Sequence, residues 1–245
     1  MVRHDCKHSR SASWGNPDRM EPCFFRYTFW CLGCSCSNWY QCLLNRLQTG
    51  ANTSSGGFAG SDLQLAQCPI TPTSATPPAA VATNCIGAYL TMHITKSASG
   101  VYLENVWLWT ADHDLEDPTS TQITIYTGRG LLVESTVGTI WLVGTAVEHH
   151  SLYQYQFANT HNIFAGQIQT ETAYYQPNPG ATTPFSPNTT LNDPDFTTSC
   201  AGVSGNCADG WGLRVINSDG IRVYGAGLYS FFDNYSTNCV SPTFI

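Results

Sequence analysis

From Gly100 onward the chain alternates short apolar, β-branched and aromatic runs with breaks rich in glycine and asparagine. VYLENVWLW, QITIYTGRGLLVES, TIWLVGTAV, LYQYQF, NIFAGQIQT, GLRVI and IRVYGAGLY have the length and composition of strands, and ASG, VG, NTHN and SDG separate them. Helical periodicity is scarce. The runs also repeat one another. IWLVGTAVE from Ile140 shares a frame with IFAGQIQTE from Ile163, 23 residues on, and each ends in a glutamate, Glu148 and Glu171. IRVYGAGLY from Ile221 fits the same frame, and VWLWTADHD at 106–114 fits it with Asp114 at the end. Strand-like repeats of this length predict coils stacked in a solenoid. The expected fold is all-β, a right-handed parallel β-helix, incomplete in this chain. Residues 176–208 are too rich in Pro, Asn and Thr for a coil and read as a long loop excursion, of the kind that walls a binding groove.

Stacked coils lie about 4.8 Å apart, so aligned side chains become neighbours. Alternation then predicts one face carrying Thr110, Asp112 and Asp114, then Gly144, Ala146 and Glu148, then Gln167, Gln169 and Glu171, and finally Gly225, Gly227 and Tyr229. Two carboxylates about 5 Å apart at an effective dielectric of about 20 repel by roughly 3 kcal/mol. One of the pair should hold a proton near pH 5 to 6, and cleavage of a glycosidic bond needs that division of labour between acid and carboxylate. Amides and aromatic planes suit the rest of a sugar ring, and Trp107, Trp109, Tyr153, Tyr174 and Tyr175 are candidates for the planes.

Composition narrows the partners. Charged residues are 11% of the chain and the net charge is −7, with only Lys96, Arg129, Arg214 and Arg222 basic beyond residue 50, so neither nucleic acid nor an anionic membrane is an expected partner. Residues 1–55 differ from the rest. The first 50 residues hold six of the eleven cysteines and a net charge of +3. They have no clean apolar run of membrane length and no signal-peptide pattern. Two domains are therefore expected, an irregular cysteine-rich segment over 1–55 and a β-helix over 56–245. The C-x-x-C-x-C cluster at Cys31, Cys34 and Cys36 has no second pair at zinc-finger spacing, ADHDLEDP lacks the glycine of a calcium loop, and adjacent His149 and His150 should face opposite ways with one of them buried. No metal and no cofactor are expected. Cys68 with Cys85 and Cys200 with Cys207 are candidate disulfides closing short loops, which leaves Cys239 without a partner in the body.

GGFAGSDLQLAQC, HITKSASGVYLENVWLWTADHDLEDP, VEHHSLYQYQFANTHNIFAGQIQTETAYYQPNP and GNCADGWGLRVINSDGIRVYGAGLYSFFDNYST together resemble fungal exo-β-1,3-glucanases of glycoside hydrolase family 55. The resemblance covers roughly residues 56–239. It implies an extracellular monomeric enzyme of two side-by-side β-helices that inverts configuration while releasing glucose from laminarin-type glucan. It also implies that Glu171, in QTETAYYQP, is the general acid, and that Glu148, in AVEHH, activates or positions water. Gln167, Gln169, Tyr174, Trp109, Asp112 and Asp114 are then the expected sugar contacts. Only the second β-helix is matched, so a catalytically inactive remnant that folds or binds glucan is the competing expectation. A pectate-lyase-like enzyme is disfavoured by the scarcity of lysine and arginine.

Overall fold

The structure is a computed structural model and describes residue 68, residues 80–113 and residues 122–237. The expected irregular segment 1–55, the site candidate Asp114 and the odd Cys239 lie outside the described residues. The fold is all-β. Its strands are β1 (Ile86–Ile94), β2 (Val101–Glu104), β3 (Trp107–Trp109), β4 (Tyr126–Val133), β5 (Ile140–Val143), β6 (Ala146–Glu148), β7 (Tyr153–Ala158), β8 (His161–Glu171), β9 (Trp211–Ile216) and β10 (Asp219–Tyr229). Helix among the described residues amounts to single turns at Thr83–Cys85, Thr189–Leu191 and Phe196–Ser199.

The chain makes four passes over two parallel sheets. One sheet takes β1, β4, β7 and β9 in that order, and the other takes β2 and β3, then β5 and β6, then β8, with β10 beyond β8. Each pass lands in register on the last, with Ile140 beside Ile163 and Ile163 beside Ile221. The repeat read from 140–148, 163–171 and 221–229 is therefore the repeat of the fold. The frame chosen for the first pass is displaced by five residues, because Val101 lies beside Ile140 and Trp109, not Asp114, lies beside Glu148. The bend explains the error. Asn105, Gly144, Gln167 and Gly225 all have left-handed backbone, φ 52°, 61°, 58° and 80°, and together they turn the second sheet in every pass. Aligning the bend, and not the terminal acid, gives the observed register.

Between the sheets Leu103, Leu108, Ile140, Leu142, Val147 and Ile163 meet Leu131, Val133, Tyr155 and Phe157 in one buried core. β4 and β7 are buried at every residue, which a two-faced sheet requires only when its outer side is covered too. The cover is the excursion. Phe185 packs edge-on against Tyr89, Gln156 Nε2 donates to the Leu191 carbonyl at 2.8 Å, and Arg214 reaches the Asn192 carbonyl. A fully buried ion pair, Arg129 with Asp193, pins it down. Residues 183–193 of the excursion thus sheathe the first sheet instead of walling a groove beside the acidic column. Both anticipated disulfides form, Cys68–Cys85 and Cys200–Cys207, with Cα separations of 5.7 and 5.6 Å.

Packing is tightest at Gly130. A Cβ there would lie 2.2 Å from the Gln154 carbonyl oxygen and 2.3 Å from Val147 Cγ1, neither of which can yield easily. Gly130→Ala is expected to cost at least about 1–3 kcal/mol through overpacking, read from urea unfolding midpoints. An unchanged midpoint would show that the two sheets separate more readily than this packing implies.

Candidate active site

The outer side of the second sheet beyond the bend carries two columns. Trp107, Ala146, Gln169 and Gly227 form one, and Trp109, Glu148, Glu171 and Tyr229 form the other. Parallel pairing makes Glu148 and Glu171 immediate neighbours on adjacent strands, as the repeat implied. Gln169 joins them, its Nε2 donating to Glu148 Oε1 at 3.0 Å and to Glu171 Oε1 at 3.1 Å. Trp107 Nε1 donates to the other Glu148 oxygen at 2.7 Å. Glu148 is buried and Glu171 only partly so. Burial pushes the Glu148 carboxyl pKa up, and the negative charge of Glu171 pushes it further, against the opposing Trp107 hydrogen bond.

The next residue brings a cation to the pair. His149 has a left-handed backbone, φ 65°, costly for a residue with a Cβ, and its amide donates to the Glu171 carbonyl at 3.0 Å. Its ring then sits between two acids, with Nδ1 2.9 Å from Asp112 Oδ2 and Nε2 3.3 Å from Glu171 Oε2. Burial alone would lower the His149 pKa, but Asp112 and Glu171 outweigh it and raise it to about 9. The Asp112 carboxyl is likewise pushed up by burial and pulled lower overall by His149 and His113. His150 turns the other way. It is fully buried, bonded to Thr91 Oγ1 at 2.7 Å and Gln154 Oε1 at 3.0 Å, and burial depresses its pKa to about 3. Both histidines are buried, where the sequence pattern pointed to one.

Aromatic rings surround the acids. Trp107 stacks on Trp109 at 4.7 Å, and Tyr174 lies 4.1 Å from the His149 ring and 4.0 Å from Phe232. Tyr229 stacks on Phe231 at 4.9 Å. Of the expected sugar contacts, Gln169 and Tyr174 are beside the pair, whereas Trp109 is buried beneath Trp107 and His113. Gln167 occupies the bend, and its amide lies over Gly225, where an added Cβ would meet Nε2 at 2.9 Å. Asp112 is buried against His149 and His113 and faces no open surface. Tyr153 and Tyr175 belong to the core and not to any sugar platform. Sequence reasoning missed His149 as a neighbour of the pair, since a histidine beside an outward glutamate on a strand should point away from it, and only the left-handed backbone turns it in.

The two histidines set opposite pH limits on the fold. His149, raised to about 9 from 6.5, contributes stability that is full below pH 6.5 and lost as pH rises toward 9. His150, lowered to about 3, contributes stability that is present above pH 6.5 and lost as pH falls toward 3, and Asp112 adds to that acid-side loss below its ordinary range. Unfolding free energy is expected to peak near pH 6.5 and to fall by about 2–3 kcal/mol by pH 9. His149→Gln should flatten the alkaline side. A curve still rising between pH 7 and 9 would contradict the buried imidazolium.

No family model matches the chain. It is 49% identical over 185 residues to a protein of Arthroderma benhamiae named "Probable glucan endo-1,3-beta-glucosidase", covering 76% of this chain and 20% of that protein. It is 45% identical over 192 residues to "Glucan 1,3-beta-glucosidase" of Cochliobolus carbonum, covering 78% of this chain and 22% of that protein. "Non-secreted LysM effector LysM15" of Penicillium expansum matches at 48% over 170 residues, 69% of this chain and 11% of that protein. The chain spans about a fifth of the length of the two glucosidases it matches. Identity of this order over three quarters of the chain makes it homologous to one segment of each of those two proteins.

Proposed function

We propose that the chain is the acid-bearing part of a glycoside hydrolase that cleaves β-1,3-glucan. The observation that carries this reading is the carboxyl pair Glu148 and Glu171, side by side on one outward column and bridged by Gln169. The names of the relatives supply the substrate class. Four in-register passes over two parallel sheets, between Ile86 and Tyr229, support a right-handed parallel β-helix as the scaffold. The working protein on this reading is extracellular and monomeric, without a nucleic-acid or membrane partner.

Glu171, the more exposed of the pair, protonates the leaving glycosidic oxygen. Glu148 and Glu171 stand opposite each other on adjacent strands and share the Gln169 nitrogen, so strand spacing of about 4.8 Å sets their separation below the roughly 6.5–9.5 Å that lets an inverting pair admit a water between them. Glu148 therefore positions water and Glu171, and the inverting base comes from a group outside this pair. Gln169 and Tyr174, with Trp107, offer the sugar an amide and aromatic edges. A second reading exchanges the roles, with Glu148 as the acid, and it is favoured by the upward shift of the Glu148 carboxyl. An aryl glucoside with a good leaving group separates the two, because loss of the true acid spares that substrate.

Laminarin digestion tests the proposal, run on this chain and on a protein of the relatives' length, where the full rate is expected. Exo action with inversion gives glucose first, as the α-anomer by proton NMR, whereas a ladder of oligosaccharides would mean endo action. A full-length protein that leaves laminarin intact would overturn the reading.

A further inference from the structure

We propose that Asp112 and His149 are positioning residues for Glu171, a buried carboxylate–imidazolium pair that holds the Glu171 carboxylate in place, so that Asp112 acts through His149 and not on the sugar. The catalytic consequence rests on the glucan hydrolase reading above. The pair itself rests on geometry.

Both ring nitrogens of His149 face acids, Nδ1 toward Asp112 Oδ2 at 2.9 Å and Nε2 toward Glu171 Oε2 at 3.3 Å. Only the imidazolium, a donor at both nitrogens, satisfies both at once. The rival arrangement is a neutral ring that accepts at Nδ1 from Trp109 Nε1, 3.1 Å away, and donates only to Glu171. It would turn a nitrogen lone pair toward Asp112 Oδ2 in a site where the histidine side chain is 2% and the aspartate side chain 7% exposed. A charge-assisted bond to a buried carboxylate outweighs a neutral one from an indole, so Nδ1–H of the imidazolium donates to Asp112. His113 holds the other Asp112 oxygen at 3.1 Å.

The surroundings agree with a cation at this position. The acids facing His149 are Asp112, Glu171 and the neighbouring Glu148. The other bases nearby are His113, bound to Asp112, and His150, which burial keeps neutral. Tyr174 lies over the ring at 4.1 Å, and Thr110 Oγ1 donates to the His149 carbonyl at 3.0 Å, so neither ring nor backbone is free to swing away. A carboxylate on one side and a left-handed backbone on the other aim Nε2–H at Glu171. Glu171 is held from its other oxygen by Gln169. Both Glu171 oxygens thus accept hydrogen bonds, which fixes the side chain and favours the carboxylate left once its proton has passed to the leaving oxygen.

Nitrogen-15 NMR of the histidine rings in the 1–245 chain tests this without any need for activity. His149 should be protonated at both nitrogens at pH 7 and titrate near pH 9. Asp112→Asn should lower that midpoint by two units or more, about a hundred-fold in proton affinity. The near-isosteric Glu171→Gln should lower it measurably, which keeps the test available if Asp112→Asn fails to fold. A neutral ring at pH 7, or a midpoint unmoved by Glu171→Gln, would overturn the proposal. In a protein active on laminarin, Asp112→Asn should lower kcat at least ten-fold with KM within two-fold, and a raised KM at unchanged kcat would make Asp112 a sugar ligand and overturn it equally. Wild-type protein inert on laminarin with the NMR results intact would sink the hydrolase reading alone.

Discussion

Glu171→Gln is expected to lower the rate of β-1,3-glucan hydrolysis by about a hundred- to ten-thousand-fold, because a positioned general acid contributes roughly that much to a glycosidic cleavage. The amide keeps the size of the carboxyl, so the stacked strands need not move. It cannot release a proton to the leaving oxygen. Its effect should fall on kcat, with KM nearly unchanged, since the rings and amides proposed to hold the sugar remain. Thermal unfolding measured beside the kinetics separates chemistry from folding. A variant that melts like the parent and retains more than a tenth of its laminarin activity would remove Glu171 from the acid role. Glu148→Gln then becomes the decisive variant, and sparing of an activated aryl glucoside by that substitution would assign the acid to Glu148.

The second large effect is on stability. Arg129→Met is expected to cost about 3–5 kcal/mol, because it strands the Asp193 carboxylate in a place with no solvent access. Arg129 also donates to the Tyr89 carbonyl at 3.2 Å, and its guanidinium lies 4.0 Å from the centroid of the Tyr89 ring. Asp193 further accepts from the Asn188 amide at 2.6 Å. One cation thereby fastens the first pass, the second pass and the excursion to one another. A domain of ordinary stability, about 5–15 kcal/mol, would be left marginal. Urea unfolding reads the loss, and hydrogen exchange over 185–193 should rise before exchange in the core. A change below about 1 kcal/mol would show that the excursion is held by its apolar contacts, Phe185 foremost, and not by the ion pair.

Much of this arrangement is legible in the residues, because a parallel stack repeats its own pattern. Ile140, Ile163 and Ile221 are in register on the second sheet, and the glutamates eight positions after the first two must then be neighbours. The first pass was harder to read. VWLW and IWLV look alike by composition, but outward Tyr102 is the partner of Trp141, and the true marker is the asparagine or glycine of the bend at Asn105, Gly144 and Gly225. Gln167 disguises that marker in the third pass by adopting a left-handed backbone that its side chain does not advertise. His149 is hidden for the same reason. Alternation assigns it to the inner face, and φ 65° returns it to the acids. The position of the excursion was not legible at all, since Asp193 is 64 residues from Arg129 and nothing local ties a proline-rich loop to a distant strand. Asp112 reads as a surface acid because its neighbours in ADHDLEDP are polar, while it is buried against His149 of the second pass.

The most direct measurement of the central claim is a crystal structure of Glu171→Gln, in a protein of the relatives' length, with a laminari-oligosaccharide bound. The account places a glycosidic oxygen within about 2.6–3.2 Å of the side chain at position 171. It also places a sugar hydroxyl on Gln169, and a ring face or edge against Trp107 or Tyr174. An oligosaccharide seated elsewhere on the protein, with the side chains at 148 and 171 both beyond hydrogen-bonding reach of the bond to be cleaved, would contradict it.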